Sequence, residues 1–140
     1  MSSLKFHYDV DKTDFTRAGE ASSDVKGKLK KMGCNPEVVR KVAIAMYEGE
    51  INMVIHADGG VIDVEITPKD ITLVLKDKGP GIADIEKAMQ AGYSTASENI
   101  RSLGFGAGMG LPNMKKYSDE MNIDTEIGVG TTVTMVIHNS

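Results

Sequence analysis

Asp77-Lys78-Gly79-Pro80-Gly81 and Gly104-Phe105-Gly106-Ala107-Gly108-Met109-Gly110-Leu111 are the two stretches whose reading decides the fold. The first is a carboxylate at the end of an apolar, strand-like run, followed by a turn flanked by glycines. In the second, glycine alternates four times and a helix-like segment follows. Read together they suggest a nucleotide site. A carboxylate can accept a hydrogen bond from the adenine amino group. Glycines that open a helix let backbone N–H groups come close to phosphates. Neither arrangement tolerates a side chain where the ligand must approach or where φ must be positive.

The segments around these stretches form a regular series. Just before Asp77, Val61–Ile66 and Ile71–Lys76 are β-rich runs joined by Thr67-Pro68-Lys69-Asp70, which predicts an antiparallel hairpin. Before the hairpin, Asn35-Pro36 opens a long apolar helix to about Ala57, with Asn as cap and Pro at the first helical position. Its near-continuous apolar content predicts the central helix. Ahead of it, Asp11 or Thr13 opens a helix whose stripe is Phe15, Ala18, Ser22, Val25, Leu29 and Met32, ended by Gly33. Residues 3–10 alternate Leu4, Phe6 and Tyr8 with Lys5, His7 and Asp9, the pattern of a half-buried strand.

After Asp77, Ile82–Gln90 reads as a short helix. Residues 91–107 are small, polar and aperiodic, as in a functional loop. Gly110 to Met121 reads as helical, and two strands close the chain around Gly128-Val129-Gly130. The order predicts an α+β fold: a two-layer α/β sandwich with a mixed, mostly antiparallel sheet and helices on one face.

Composition narrows the functions. A chain of 140 residues fits one domain over 1–140. A net charge of −4 argues against direct nucleic-acid binding, which needs a positive surface. No apolar run approaches membrane-spanning length, so no membrane partner is expected. Cys34 is the single cysteine, which excludes an internal disulfide and favours a cytoplasmic location. Lys26, Lys28, Lys30 and Lys31 read as a solvated helix face rather than a basic docking site.

Glu48 and Asn52 stand at i and i+4 on the central helix and share a face. Glu50 lies about 200° round and points away. Asn52 can give its amide oxygen to Mg2+, a cation held by oxygen ligands and substrate phosphates. Glu48 can take the proton of an attacking hydroxyl. Taken alone the pair would be an ordinary helix edge; beside two glycine motifs it gains meaning. The glycine run is not the dinucleotide fingerprint, because Met109 or Leu111 falls where the third glycine belongs. No phosphate-loop lysine motif exists either.

Four motifs now stand in order: Glu48-x-x-x-Asn52, Asp77-x-Gly79-x-Gly81, Gly104-x-Gly106-x-Gly108-x-Gly110-Leu111 and Gly128-x-Gly130-Thr131. This order resembles the Bergerat-type ATP-binding fold of the GHKL superfamily, shared by DNA gyrase, the Hsp90 chaperone, sensor histidine kinases and MutL. The short chain, the segment Gly110-Leu-Pro-Asn-Met-Lys-Lys-Tyr-Ser-Asp-Glu-Met and the ending Gly-Val-Gly-Thr-Thr-Val are similar to the anti-sigma factor serine/threonine kinases.

The resemblance implies ATP and Mg2+ as ligands, with Asn52 on the metal. Asp77 would read adenine, with Thr131 assisting, and Gly79 and Gly81 would shape the pocket. Residues 92–107 would form an ATP lid, with Arg101 a candidate γ-phosphate contact. Gly104, Gly106, Gly108, Met109, Gly110 and Leu111 would wrap the phosphates, and Glu48 would be the general base. It further implies an anti-anti-sigma (STAS-type) protein and a sigma factor as partners, transcription regulation as the role, and a homodimer as the common assembly. Two departures bear on Glu48: Gly49 stands mid-helix beside it, and Glu50 is a second nearby carboxylate. Two other readings are a nucleotide-gated binding module without phosphotransfer and a detached histidine-kinase catalytic domain.

Overall fold

In the computed structural model, the residues described are 3–10, 19–56, 59–78 and 110–139. Strand β1 (Leu4–Val10) is followed by helices α1 (Glu20–Lys31) and α2 (Pro36–His56). Strands β2 (Gly60–Ile66) and β3 (Asp70–Asp77) come next, then helix α3 (Gly110–Tyr117) and strands β4 (Glu120–Glu126) and β5 (Gly130–His138). The short helix expected over 82–90 and the loop over 91–107 lie outside the described residues.

The five strands form one sheet in the order β1-β2-β3-β5-β4. Every neighbouring pair among them is antiparallel. The expected mixed character is therefore absent among the described strands. Two hairpins account for this: β2–β3 and β4–β5 reverse direction locally, and the connection after β3 brings β5 back alongside β3 with opposite sense. The Thr67 hydroxyl closes the first hairpin, accepting from the Asp70 N–H at 3.0 Å and donating to the Asp70 carbonyl at 3.1 Å.

Alternation along the strands decides which face meets the helices. Ile62, Val64 and Ile66, then Ile71, Leu73 and Leu75, then Val133, Met135 and Ile137 are buried and form one cluster with α1, α2 and α3. The intervening positions, Asp63 and Lys76 among them, face water. Helix α2 packs on both α1 and α3, so it is buried around most of its circumference, through Val38, Val42, Ala45, Met46 and Met53.

The junction between α1 and α2 follows the sequence closely. Gly33, at φ +77°, ends α1. Its N–H donates to the Lys30 carbonyl and that of Cys34 to the Leu29 carbonyl, both at 3.1 Å, the paired bonds of a Schellman motif. Asn35 then caps α2, its Oδ1 accepting from the Glu37 N–H at 2.8 Å. The start of α1 differs from the expectation of Asp11 or Thr13. Gly19 has φ +99°, a conformation no continuous helix passes through, and α1 begins at Glu20. Met32, expected on the buried stripe, is exposed because it is already the C-cap. Of the four lysines, Lys28 is half-buried: it pairs with Asp24 and lies 4.7 Å from the centre of the Phe6 ring.

Candidate functional site

Asp77 is the last residue of β3, and its setting is built by the two strands beside it. On one side it pairs with Gly60 of β2. A Cβ on Gly60 would stand 2.2 Å from the Lys76 carbonyl oxygen and 2.8 Å from the Asp77 Cα. On the other side Gly130 opens β5, where a Cβ would stand 2.3 Å from the Asp77 carbonyl oxygen and 3.2 Å from its Oδ1. Both glycines hold positive φ, +153° and +146°. Only glycine therefore fits on either flank. Asp77 Oδ1 accepts the Thr131 backbone N–H at 2.9 Å, which fixes the carboxylate at the sheet end. Thr131 is buried, and its hydroxyl pairs with that of Thr125 across the β4–β5 ladder at 2.9 Å. So Thr131 meets Asp77 through its backbone N–H.

Helix α2 carries the polar pair. Glu48 and Asn52 are both half-buried. Burial pushes the Glu48 carboxyl above the ordinary range, and the Asn113 side chain of α3 acts the other way. Gly49 explains how the helices come so close here. A Cβ at this position would lie 2.2 Å from Leu75 Cδ2 and 3.2 Å from Met114 Sδ. The glycine thus seats α2 on β3 and α3 together. One turn further on, Met53 Cε lies 2.7 Å from where a Gly60 Cβ would be, so α2 also touches the strand pair that holds Asp77. Through these contacts the Glu48–Asn52 turn and the Asp77 end of the sheet belong to one packed unit.

Glu50 does something different. It is 3% exposed, and its two oxygens accept the backbone N–H groups of Ala21 and Ser22 at 3.2 and 3.1 Å. These are first-turn amides of α1, which lack an intrahelical acceptor. Gly19 has no side chain with which to cap them. Glu50 supplies the cap from α2, where its charge also suits the positive helix end. The second carboxylate near Glu48 is thus committed to another task.

Gly110 and Leu111 form the start of α3. Gly79, Gly81, Arg101, Gly104, Gly106, Gly108 and Met109 lie outside the described residues. Sequence reasoning missed Gly60, which read only as part of a turn. Glu48 also lines an open groove along α1 and α2, with Tyr47, Ile44, Asp24 and Lys28.

The residues present fit a nucleotide. A carboxylate has about four acceptor positions and can accept from several donors at once, and an adenine amino group is such a donor. Among the described residues no cluster of three or more His, Cys, Asp or Glu could hold a metal. No helix among the described residues is long and apolar enough to cross a membrane.

Known proteins show which family the chain falls in. The family model of the histidine kinase-like ATPase domain matches residues 13–137. The serine/threonine-protein kinase RsbT of Bacillus subtilis is 30% identical, over 76% of this chain and 77% of its own. An anti-sigma F factor of Caldanaerobacter subterraneus is 36% identical, over 71% of this chain and 69% of its own. Among solved structures, the RsbU and RsbW domains of Rv1364c from Mycobacterium tuberculosis superpose with a TM-score of 0.62 at 18% identity. They match 96% of this chain, which spans 32% of that longer one, a likeness of fold alone. The chain belongs to the histidine kinase-like ATPase domain family.

Proposed function

We propose that this protein is an anti-sigma regulatory factor that acts as a serine/threonine protein kinase on an anti-anti-sigma (STAS-type) partner and sequesters a sigma factor. The observation that carries the nucleotide half of this reading is Asp77, held by the Thr131 N–H at 2.9 Å between two obligatory glycines. The relatives named as a serine/threonine kinase and an anti-sigma factor support the rest. Residues 1–140 act as one ATP-binding domain in this reading, with 92–107 as the lid. ATP and a sigma factor meet in the cytoplasm, so the protein works there, in keeping with family members as a homodimer.

Asp77 receives the adenine amino group, and the backbone at Gly110 and Leu111 receives phosphate oxygens. A magnesium ion, bound through the Asn52 amide oxygen, would offset phosphate charge. Glu48 takes the proton of the partner's serine or threonine hydroxyl. The hydroxyl oxygen then forms a bond to the γ-phosphorus, and the bond from that phosphorus to the bridging oxygen breaks. Its electron pair leaves with ADP. Positioning and charge stabilisation supply most of the catalysis in such transfers. The groove along α1 and α2 gives a protein segment a route to Glu48.

Thermal melts with Mg-ATP, Mg-ADP and Mg-GTP test the nucleotide site. A ligand at about 100 times its Kd adds about 2.7 kcal/mol. Stabilisation by adenine nucleotides that is lost in Asp77→Asn is the expected result. No shift with any nucleotide would refute the site. Acid-stable phosphate on the partner, absent with Glu48→Gln, is expected of the kinase. Acid-labile phosphate would indicate a histidine kinase, and no transfer a nucleotide-gated binder.

A further inference from the structure

Residues opposite one another on neighbouring strands stand in rows across the sheet. On the face toward the helices one row is Ile62, Leu75, Val133 and Ile123, apolar from β2 to β4. The next row toward the sheet end is Gly60, Asp77, Thr131 and Thr125. Met121 and Ile123 of β4 pack against the core, and by the alternation of a strand Thr125 shares their face. An apolar side chain there would continue the packing. A hydroxyl stands instead, in the row of Asp77.

Hydrogen bonds join this row. Thr131 is buried, and a buried hydroxyl calls for a partner. Thr125 Oγ1 lies 2.9 Å from Thr131 Oγ1. A carbonyl only accepts, so the Thr125 hydroxyl donates to the Gly130 carbonyl, 3.5 Å away, and accepts from Thr131. Gly130 and Thr131 are the two residues of β5 set against Asp77. Gly130 brings bare backbone to its carbonyl oxygen, and Thr131 gives its N–H to the carboxylate at 2.9 Å. Thr125 holds both from the far side.

We propose that Thr125 is a positioning residue for Asp77, aiming through Gly130 and Thr131 the carboxylate that receives the adenine amino group. The inference rests on that role of Asp77. Its consequence is that three strands orient the carboxylate, and that adenine preference depends on a hydroxyl acting through the backbone of the neighbouring strand.

The test compares Mg-ADP with Mg-IDP by calorimetry. The inosine base carries a carbonyl oxygen in place of the amino group, and a fixed carboxylate, which only accepts, rejects it. The protein is expected to prefer ADP, and Asp77→Asn to abolish the preference. Thr125→Val, close in shape but without the hydroxyl, is expected to narrow the ADP-to-IDP affinity ratio about fivefold, the worth of one net hydrogen bond. Thr125→Ser, which keeps the hydroxyl, should recover most of it. In parallel the Thr131 amide proton, followed by NMR without nucleotide, should move upfield in Thr125→Val as its bond to Asp77 lengthens, and return in Thr125→Ser. Should Thr125→Val fold poorly, Thr125→Ala decides by the same readings. An unchanged ratio in a folded variant overturns the proposal, whatever the amide does. So does an equal loss of both nucleotides, which would mark a merely structural pair. If Asp77→Asn keeps the preference, Asp77 does not read adenine, and the positioning proposal falls with that reading.

Discussion

Replacing Glu50 by glutamine should weaken the fold while leaving the chemistry of Glu48 in place. The side chain is 3% exposed and accepts two backbone N–H groups at the start of α1. Glutamine keeps one acceptor oxygen and turns an NH2 group toward the other amide. One buried donor then loses its partner, which costs about 1–3 kcal/mol. The helix end also loses a favourable negative charge, worth up to about 2 kcal/mol when partly buried. Against these stands the relief of no longer burying a charge, which can be several kcal/mol. With both bonds well formed we expect a net loss of about 2 kcal/mol. Glu50→Ala, which abandons both amides and leaves a void, should lose about 4 kcal/mol. For a chain of 140 residues, about 3 °C of melting temperature accompanies each kcal/mol. Urea denaturation at constant m-value is the assay. Equal or greater stability of Glu50→Gln would refute the capping argument, since burial would then dominate. A phosphotransfer defect per folded molecule as severe as that of Glu48→Gln would return Glu50 to the catalytic candidates.

Gly49→Ala tests the close seat of α2. Helix propensity favours alanine by about 1 kcal/mol, but its Cβ would meet Leu75 Cδ2 at 2.2 Å. Overpacking of about 1–3 kcal/mol should win, and a higher melting temperature would refute it. Gly27 and Gly33 should differ in sign, although neither Cβ would touch anything. Gly27 lies inside α1, so alanine should stabilise by about 0.5–1 kcal/mol. Gly33 has φ +77°, so alanine there should cost about 1–2 kcal/mol. Paired denaturation curves check both. Glu48→Gln should raise the melting temperature at neutral pH. Burial raises the Glu48 pKa in the folded state. Its contribution is therefore fully present below the unfolded pKa and lost as pH rises through the folded one. The neutral amide escapes that loss, so the advantage should vanish below about pH 4. An advantage that persists there would mean it has another origin.

The fold was legible because its signals are local. Alternation in 61–66 and 71–76 fixes which face is buried, whatever the neighbouring strand turns out to be. Gly33, Asn35 and Pro36 specify a stop and a restart within four residues. Where the reading failed, a local signal was outvoted. The apolar positions before Ser22 continue a helical stripe on paper, but Gly19 adopts a left-handed φ that ends it. Met32 keeps the stripe's spacing yet falls at the C-cap, where the chain turns from the core.

The candidate site shows a sharper division. Glu48 and Asn52 share a face by helix geometry alone, and Asp77 is marked by the strand it ends. What the sequence lacked were the partners from elsewhere in the chain. Asp77 to Thr131 spans 54 residues and Glu50 to Ala21 spans 29. No periodicity links such pairs. The 200° between Glu48 and Glu50 aims them at different neighbours. Glu50 meets bare amides and becomes a cap; Glu48 lines an open groove. Gly49 between them is what both arrangements share. With a side chain there, α2 could not lie so close to Leu75 and Met114. A glycine that weakens the helix by about 1 kcal/mol thus lets α2 sit on the sheet and on α3 together, between a carboxylate that caps α1 and one that lines the groove.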